Sequence, residues 1–261
     1  MALLDIAGEE AAAAELGALF GLDRVVGIRC DVTDDDSLRR SLERARSHFG
    51  SLSVVINNAG KSLEGMGLRT RGNGTSHSTE PPALHPPAGI ATSMFDDMRR
   101  AVAINLTAVM RGTEIAADLD VRLIVNIASV AGLGPVAVTP VYAATKAGVV
   151  NFTRSLRWME RQRGVRVVAI CPSWAATAMV KAGLESGVLQ DVIAASPFGI
   201  MQPAQVAEAF TLALDNVRLA GDIIVVTGDK GVRVMRFRKD DASDAAPTEK
   251  GASGGVPQPR L

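Results

Sequence analysis

Tyr142 and Lys146 stand four residues apart at the start of a segment with helical periodicity, so on a helix their side chains share one face. That pairing has a chemical use. An ammonium beside a phenol favours the phenolate and draws the tyrosine toward work as a general acid/base. Ser129 lies thirteen residues upstream, just past the apolar run Arg122 to Ala128. Ligands of open α/β sheets bind beyond the carboxyl ends of strands, so a hydroxyl there could hold a substrate oxygen while the tyrosine exchanges its proton. The Tyr-x-x-x-Lys spacing also occurs by chance, and the weight of the reading falls on what surrounds it.

Four other features surround it. Asn57-Asn58-Ala59-Gly60 ends a strand pattern, where glycine permits close backbone approach to a ligand. Asn105 lies within a long helical pattern ahead of the serine strand. Cys30-Asp31-Val32 closes another strand pattern, and Pro172-Ser173-Trp174-Ala175-Ala176-Thr177 follows the strand after the tyrosine helix.

The elements that must position these residues alternate. Continuous Val/Ile/Leu runs span Arg24 to Cys30, Leu52 to Asn57, Arg122 to Ala128, Val165 to Ile170 and Asp222 to Thr227, as expected of strands covered on both faces. Between them, Glu9 to Phe20, Asp35 to Phe49, Ser93 to Ala117, Val141 to Arg161 and Pro203 to Asn216 carry apolar residues at helical spacing. Thr33 ahead of Asp34 to Asp36 marks one helix start, and Pro203 suits a first helical turn. Strand alternating with helix implies an α/β fold with a doubly wound parallel sheet. Residues 1–239 read as one domain. Lys61 to Gly89, rich in Gly, Pro, Ser and Thr, reads as an inserted loop, and Asp240 to Leu261 as a disordered C-terminal tail.

Composition narrows the partners. Lys+Arg and Asp+Glu both number 28, so charge gives no reason to expect nucleic acid or an anionic membrane. No apolar stretch reaches the roughly 20 residues of a membrane helix. Asp5, Glu9 and Glu10 interrupt the N-terminus where a signal peptide would be apolar. Cys30 and Cys171 are isolated thiols without metal spacing, which suits a reducing compartment, and a cytoplasmic location is expected. His48, His77 and His85 form no ligand set, so no metal is expected. The basic stretch Arg233, Arg236, Arg238 and Lys239 suggests subunit contact or solubility.

From about Leu3 to Phe237 these motifs, in order and at family spacing, resemble the short-chain dehydrogenase/reductase family. The resemblance implies a three-layer Rossmann-like fold and an oxidoreductase that interconverts a secondary alcohol and a ketone. It casts Tyr142 as general acid/base and Lys146 as the residue that tunes it and holds the nicotinamide ribose. Ser129 would polarise the substrate carbonyl. Asn105 would hold a water linking Lys146 to solvent through a local departure from regular helix. Asp31 and Val32 would flank the adenine, while Asn57, Ala59 and Gly60 would line the cofactor cleft. Pro172, Trp174, Ala175 and Thr177 would meet the carboxamide end. Asp5 resembles the acidic residue that ends the family's second strand, holds the ribose hydroxyls and repels a 2′-phosphate, which favours NAD over NADP. Asp5 also reads as an N-cap for the helix that follows.

A weaker resemblance, in Pro140-Val141-Tyr142 and in Thr227 to Gly231, points to the hydroxyprostaglandin-dehydrogenase-like branch. Prostaglandin-oxidising members of that branch carry Gln three residues before the tyrosine, where this chain has Thr139. The family's substrate loop, here Ala178 to Met201, is rich in Met, Val, Leu, Ile and Ala and suggests an apolar small alcohol or ketone. Family habit implies a homodimer or homotetramer built on the helices beginning near Ser93 and Val141. The family's first strand and Gly-rich phosphate turn have no counterpart ahead of Ala2, so the chain reads as N-terminally truncated, with a gap expected at the centre of its sheet. That leaves an alternative function: a catalytically silent protein of the same fold that binds a partner or small molecule.

Overall fold

The computed structural model describes residues 1–61, 92–136, 139–185, 190–194 and 196–235. The larger part of the inserted loop, the tail, His77 and His85 lie outside the described residues. The chain begins with β1 (Ala2–Asp5), α1 (Glu9–Phe20), β2 (Val26–Arg29), α2 (Asp35–Phe49) and β3 (Val54–Asn57). After the insert come α3 (Thr92–Val102), a π-helical turn (Ala103–Thr107), α4 (Ala108–Asp118), β4 (Leu123–Ile127), a 3₁₀ turn (Val130–Gly132) and α5 (Pro140–Ser155). Then follow α6 (Trp158–Arg163), β5 (Arg166–Pro172), β6 (Trp174–Ala175), α7 (Ala178–Glu185), α8 (Gln190–Ala194), β7 (Ile200–Met201), α9 (Pro203–Asp215), β8 (Ile223–Thr227) and β9 (Gly231–Met235).

The strands form a parallel pair, β1-β2, and a five-stranded sheet ordered β3-β4-β5-β8-β9, parallel except for β9. Among the described residues no strand pairs with the free edge of β1 or of β3. The expected central gap corresponds, among the described residues, to these two unpaired edges. The parts on either side of it share a core: Leu38, Leu42 and Ala45 of α2 pack with Val55, Ile115, Ile124 and Val167. On one face of the five-stranded sheet, Val109 of α4 and Val149 and Val150 of α5 cover Ala169, Cys171, Ile223 and Val225. On the other, Ala209 and Ala213 of α9 cover Val168, Ile170, Ile224 and Val226. Burial on both faces explains why these strands read as unbroken apolar runs.

Four readings need correction. The helix expected over Val141 to Arg161 is two helices; the chain turns at Leu156, and Met159 enters the core beneath β5. The basic stretch after Thr227 contains β9, whose alternating Val232, Arg233 and Val234 pair antiparallel with β8. The start of α2 is capped by Asp34, not Thr33: its carboxylate accepts from the Asp36 and Ser37 N–H groups. Asp5 does not cap α1. The N-cap is Gly8, and Asp5 Oδ1 instead accepts from the N–H of Ile6 at 2.7 Å. Close packing of α1 on its strand pair depends on Gly27, where a Cβ would lie 2.6 Å from the Glu9 carbonyl oxygen.

Candidate active site

β4 ends at Ile127, and the chain turns at Ser129, whose hydroxyl accepts from the Ala131 N–H at 3.2 Å and points toward the Pro172 carbonyl at 3.4 Å. The 3₁₀ turn that follows lies against the backbone of α5. A Cβ on Gly132 would come 2.6 Å from the carbonyl of Lys146, so only glycine lets the serine turn approach the tyrosine helix this closely. α5 then places Tyr142 and Lys146 on the face toward β4 and β5. Lys146, 4% exposed, donates to the Ile127 carbonyl at 2.8 Å, and its Nζ lies 5.7 Å from the centre of the Tyr142 ring.

Burial dominates the electrostatics of this trio. It brings the Lys146 ammonium down to about 8, with nearby Cys171 opposing. It pushes the Tyr142 phenol above its usual value, against a lowering contribution from the Ser129 hydroxyl. The ligand-free protein thus holds the phenol protonated, whereas the expectation was that the Lys146 ammonium draws it down. Cys171 is wholly buried and is pushed up to about 12 by that burial, so it stands beside the trio as a neutral thiol. Cys30 belongs to a different core cluster; both thiols are free.

Asn105 sits in the π-helical turn and is fully buried. Its amide clamps the backbone of Lys61, accepting from the Lys61 N–H at 2.7 Å and donating to its carbonyl at 2.9 Å. The side chain is therefore committed to fixing the loop after Gly60, and any link to a water falls to the backbone of the widened turn. Gly60 is held next to the trio: a Cβ there would lie 3.6 Å from Asn105 Oδ1 and 3.7 Å from Lys146 Nζ.

Asn57 was expected to line the cleft, but its amide is engaged inside the protein. It donates to Asn126 Oδ1 at 2.8 Å and Thr113 Oγ1 at 3.2 Å, while Asn126 donates to Thr153 Oγ1 at 3.1 Å. This buried network ties β3, β4, α4 and α5 together under the exposed Asn58-Ala59-Gly60 loop. Sequence reading missed Asn126, Thr113 and Thr153. A polar residue in the middle of Leu-Ile-Val-Asn-Ile was the available signal, because a central strand tolerates one only when it is fully hydrogen-bonded.

Asp5 ends β1 and Asp31 lies two residues past the end of β2, as Asp5 is in register with Arg29 and its carbonyl accepts from the Cys30 N–H at 2.8 Å. Asp5 is exposed. Asp31 accepts from the Thr33 hydroxyl at 2.7 Å and the Thr33 N–H at 2.9 Å, which hold its carboxyl below the usual range. Val32 packs partly into the core beside α2. Beyond β5, Trp174 and Ala175 form β6, paired with β7, and Thr177 is exposed at the start of α7. These residues fit an extended dinucleotide at its two ends: carboxylates for a ribose on one flank, and Lys146 with Gly60 in close approach on the other. Among the described residues no Gly-rich turn opening a helix lies between β1 and β3 to meet a pyrophosphate.

A doubly wound sheet with serine, tyrosine and lysine gathered beyond its carboxyl edge has the build of a nicotinamide-dependent oxidoreductase. The short-chain dehydrogenase family matches residues 1–186, and the chain belongs to that family. It is similar to cis-4-hydroxycyclohexanecarboxylate dehydrogenase of Sinomonas cyclohexanicum, 34% identical over 212 residues covering 78% of this chain and 76% of that one. It is 28% identical to human 15-hydroxyprostaglandin dehydrogenase [NAD(+)] over 243 residues, covering 86% of this chain and 79% of the relative. The structure of ElxO with NADP bound shares the fold, with a TM-score of 0.67 at 20% identity over 87% of this chain and 86% of that one. The protein is thus a dehydrogenase/reductase acting on hydroxyl or keto groups of a small molecule, with a nicotinamide cofactor. Among the described residues no helix is long and apolar enough to cross a membrane.

Proposed function

We propose that the protein interconverts a secondary alcohol and a ketone with NAD, on a largely apolar substrate, and that Tyr142 moves the proton. The observation that carries this reading is the convergence of Ser129, Tyr142 and Lys146 beyond β4, with the lysine buried against the Ile127 carbonyl. Ser129 orients the substrate oxygen. Tyr142 takes the hydroxyl proton in oxidation or gives it to the carbonyl oxygen in reduction. Lys146, charged at neutral pH and shielded from water, favours the phenolate once substrate and cofactor complete the site. The cofactor, when bound, supplies or accepts the hydride at the carbinol carbon. Asp5 and Asp31 hold the adenosine end, and Gly60, Trp174, Ala175 and Thr177 line the nicotinamide end.

NAD is the better match than NADP. Asp5 is an exposed acidic residue at the end of β1, followed by Ile6 and Ala7 with no basic partner, and a 2′-phosphate there would meet repulsion. The names of the two curated relatives support an oxygenated ring or lipid alcohol as the substrate class. The test is NAD reduction over a panel of cyclic and long-chain secondary alcohols, wild type against Tyr142→Phe. Turnover by the wild type that the variant loses supports the reading; a wild type that binds NAD yet oxidises none of them overturns it.

One observation favours a second reading. The free edges of β1 and β3 leave the centre of the cofactor cleft without described backbone donors, so the protein could bind a small molecule or partner without turnover. Calorimetric titration with NAD separates the two: micromolar binding supports the enzyme, and no binding supports the silent protein.

A further inference from the structure

The first turn of α5 is held by a side chain that the proton chemistry proposed above does not use. Thr145 lies between Tyr142 and Lys146 in the chain, is 2% exposed, and donates its hydroxyl proton to the Tyr142 carbonyl at 2.7 Å. In a regular helix that carbonyl accepts from the Lys146 N–H, so the hydroxyl adds a second donor to it. The choice of carbonyl is particular. Thr113, Ser155 and Thr211 also return a hydroxyl proton to their own helices, each to the carbonyl four residues back. Thr145 takes the one three residues back, which belongs to the tyrosine. A threonine hydroxyl can reach either carbonyl, and such a back-bond bends the helix locally.

The same hydroxyl oxygen faces the loop after Gly60. Asn105 Nδ2 approaches it at 3.5 Å, a long contact, while the Asn105 amide donates to the Lys61 carbonyl at 2.9 Å and accepts from the Lys61 N–H at 2.7 Å. A chain of polar contacts thus runs from that loop, through Asn105 and Thr145, to the backbone of Tyr142. Its centre is shut away from water, since Asn105 has no exposure and Thr145 almost none. A hydroxyl kept in such a place needs partners, whereas alanine, the better helix former, would need none. Tyr142 is the third residue of α5. The N–H groups of a helix's first turn have no partner within the helix, so that turn depends on other anchors.

We infer that Thr145 is a positioning residue: its hydroxyl sets the tilt of the first turn of α5, and with it the place of the Tyr142 phenol against Ser129 and Lys146. This rests on the reading of Tyr142 as the proton carrier. The other two members of the trio are tied to the sheet. Ser129 stands on the turn after β4, and the Lys146 ammonium is held by the Ile127 carbonyl. Tyr142 reaches them from the start of the helix, where the Thr145 hydroxyl acts. A small misplacement of a group that transfers a proton costs rate steeply.

Tyr142 is the chain's single tyrosine, so the place of its phenol can be read without turnover. Protein made with meta-fluorotyrosine carries one ring fluorine, at Tyr142, whose resonance reports the surroundings of that ring. The experiment compares the full chain with Thr145→Val and Thr145→Ala, which lose the hydroxyl, and with Thr145→Ser, which keeps it. The Val and Ala variants should move the fluorine resonance and its pH titration. They should also slow single-turnover NADH formation about tenfold while NAD affinity, by calorimetry, stays within about twofold. Thr145→Ser should return resonance and rate to near the wild type. Should Thr145→Val fail to fold, Ser against Ala makes the same comparison without the methyl group. A loss that follows the methyl, small in Thr145→Val and large in Thr145→Ser, overturns the inference, because packing would be its cause. A lower Tm in the Val and Ala variants with resonance and rate unchanged also overturns it, since the hydroxyl would then be merely structural. So does a fall in NAD affinity at an unchanged rate, which would assign Thr145 to the Lys61 loop instead. A wild type that oxidises no alcohol sinks the dehydrogenase reading by itself, and the fluorine comparison still decides the positioning role. A resonance moved by Val and Ala but not by Ser then supports it, and an unmoved resonance overturns it whatever the rate.

Discussion

The two sides of the sheet gap are built to different standards. In the five-stranded part, β4, β5 and β8 are buried on both faces, and Ile124, Val168, Ile170, Ile223, Ile224 and Val226 have no exposure at all. In the β1-β2 part, most strand residues are only half-buried, while Leu19, Phe20 and Leu22 at the end of α1 are largely exposed. All the proton chemistry assigned above, from Ser129 to Lys146, is anchored in the first part. The carboxylates assigned to the adenosine end stand on the second, which shares packing with its neighbour through α2 but no backbone ladder. Catalytic geometry and cofactor affinity should therefore fail independently.

The largest expected effect concerns local stability. A two-stranded parallel pair is marginal by itself, whereas strands at the centre of a buried sheet open only with global unfolding. Amide hydrogen exchange at residues 2–5 and 26–29 should be about a thousandfold faster than at 123–127 and 166–172, a difference of about 4 kcal/mol in opening energy. Uniform protection across both groups would show that something pairs with the free edges and would erase the contrast.

Next in size is Tyr142→Phe, which should lower turnover at least about a hundredfold, the scale of a lost general acid/base, while leaving NAD affinity nearly unchanged. The ring's packing survives the substitution, and the altered group lies in the well-buried part. Isothermal titration alongside steady-state kinetics reads both quantities. A matching loss of NAD binding would mean that the two regions are coupled after all.

How much of this was legible in the sequence follows the same divide. Ser129, Tyr142 and Lys146 could be placed because a four-residue helical spacing and a strand end are local facts, and the structure brings the three together. Doubly buried strands announced themselves as unbroken Val/Ile runs. What depends on distant partners was not legible. Nothing near Asn57 says that its amide turns inward to Asn126, since the partner is supplied by another strand. Leu156 carries no Gly or Pro signal, yet the helix stops there because packing beneath β5 requires Met159 to turn in. β9 was hidden by its arginines, although Gly-Asp-Lys-Gly after Thr227 is hairpin punctuation, with Gly231 at φ 63°.

Coenzyme choice should respond more modestly. Asp5→Ala with Ile6→Arg removes a repelling charge and adds an attracting one, so preference should move toward NADP by about tenfold, roughly 1.4 kcal/mol. Both positions are exposed at the end of β1, so the fold should tolerate the pair. The ratio of kcat/KM for NAD and NADP, before and after, is the measurement. An unchanged ratio would remove Asp5 from the cofactor site and leave Asp31 as the adenosine-side carboxylate.

The smallest effect is a pH dependence of stability whose rising limb belongs to the well-buried region. Burial lowers Lys146 from its ordinary 10.5 to about 8, so between those values the unfolded chain binds a proton that the native one lacks. Stability therefore rises with pH as the solution passes upward through about 8. Cys171 acts oppositely. Its thiol is raised from 9.0 to about 12, and above pH 9 the unfolded chain has lost a proton that the native one keeps, so stability falls with further increase. Cys30, also raised by burial, adds to that fall. The Tm should thus climb by about 2 °C from pH 7.5 to 9 and decline beyond, the size expected of one partly expressed pKa shift in a domain of this length. Lys146→Met should flatten the climb, and Cys171→Ala should move the maximum to higher pH. On the β1-β2 side only Cys30, at the end of β2, contributes, and it acts on the falling limb alone. A climb that survives Lys146→Met would place its origin outside the catalytic trio and break the assignment of a buried ammonium to that site.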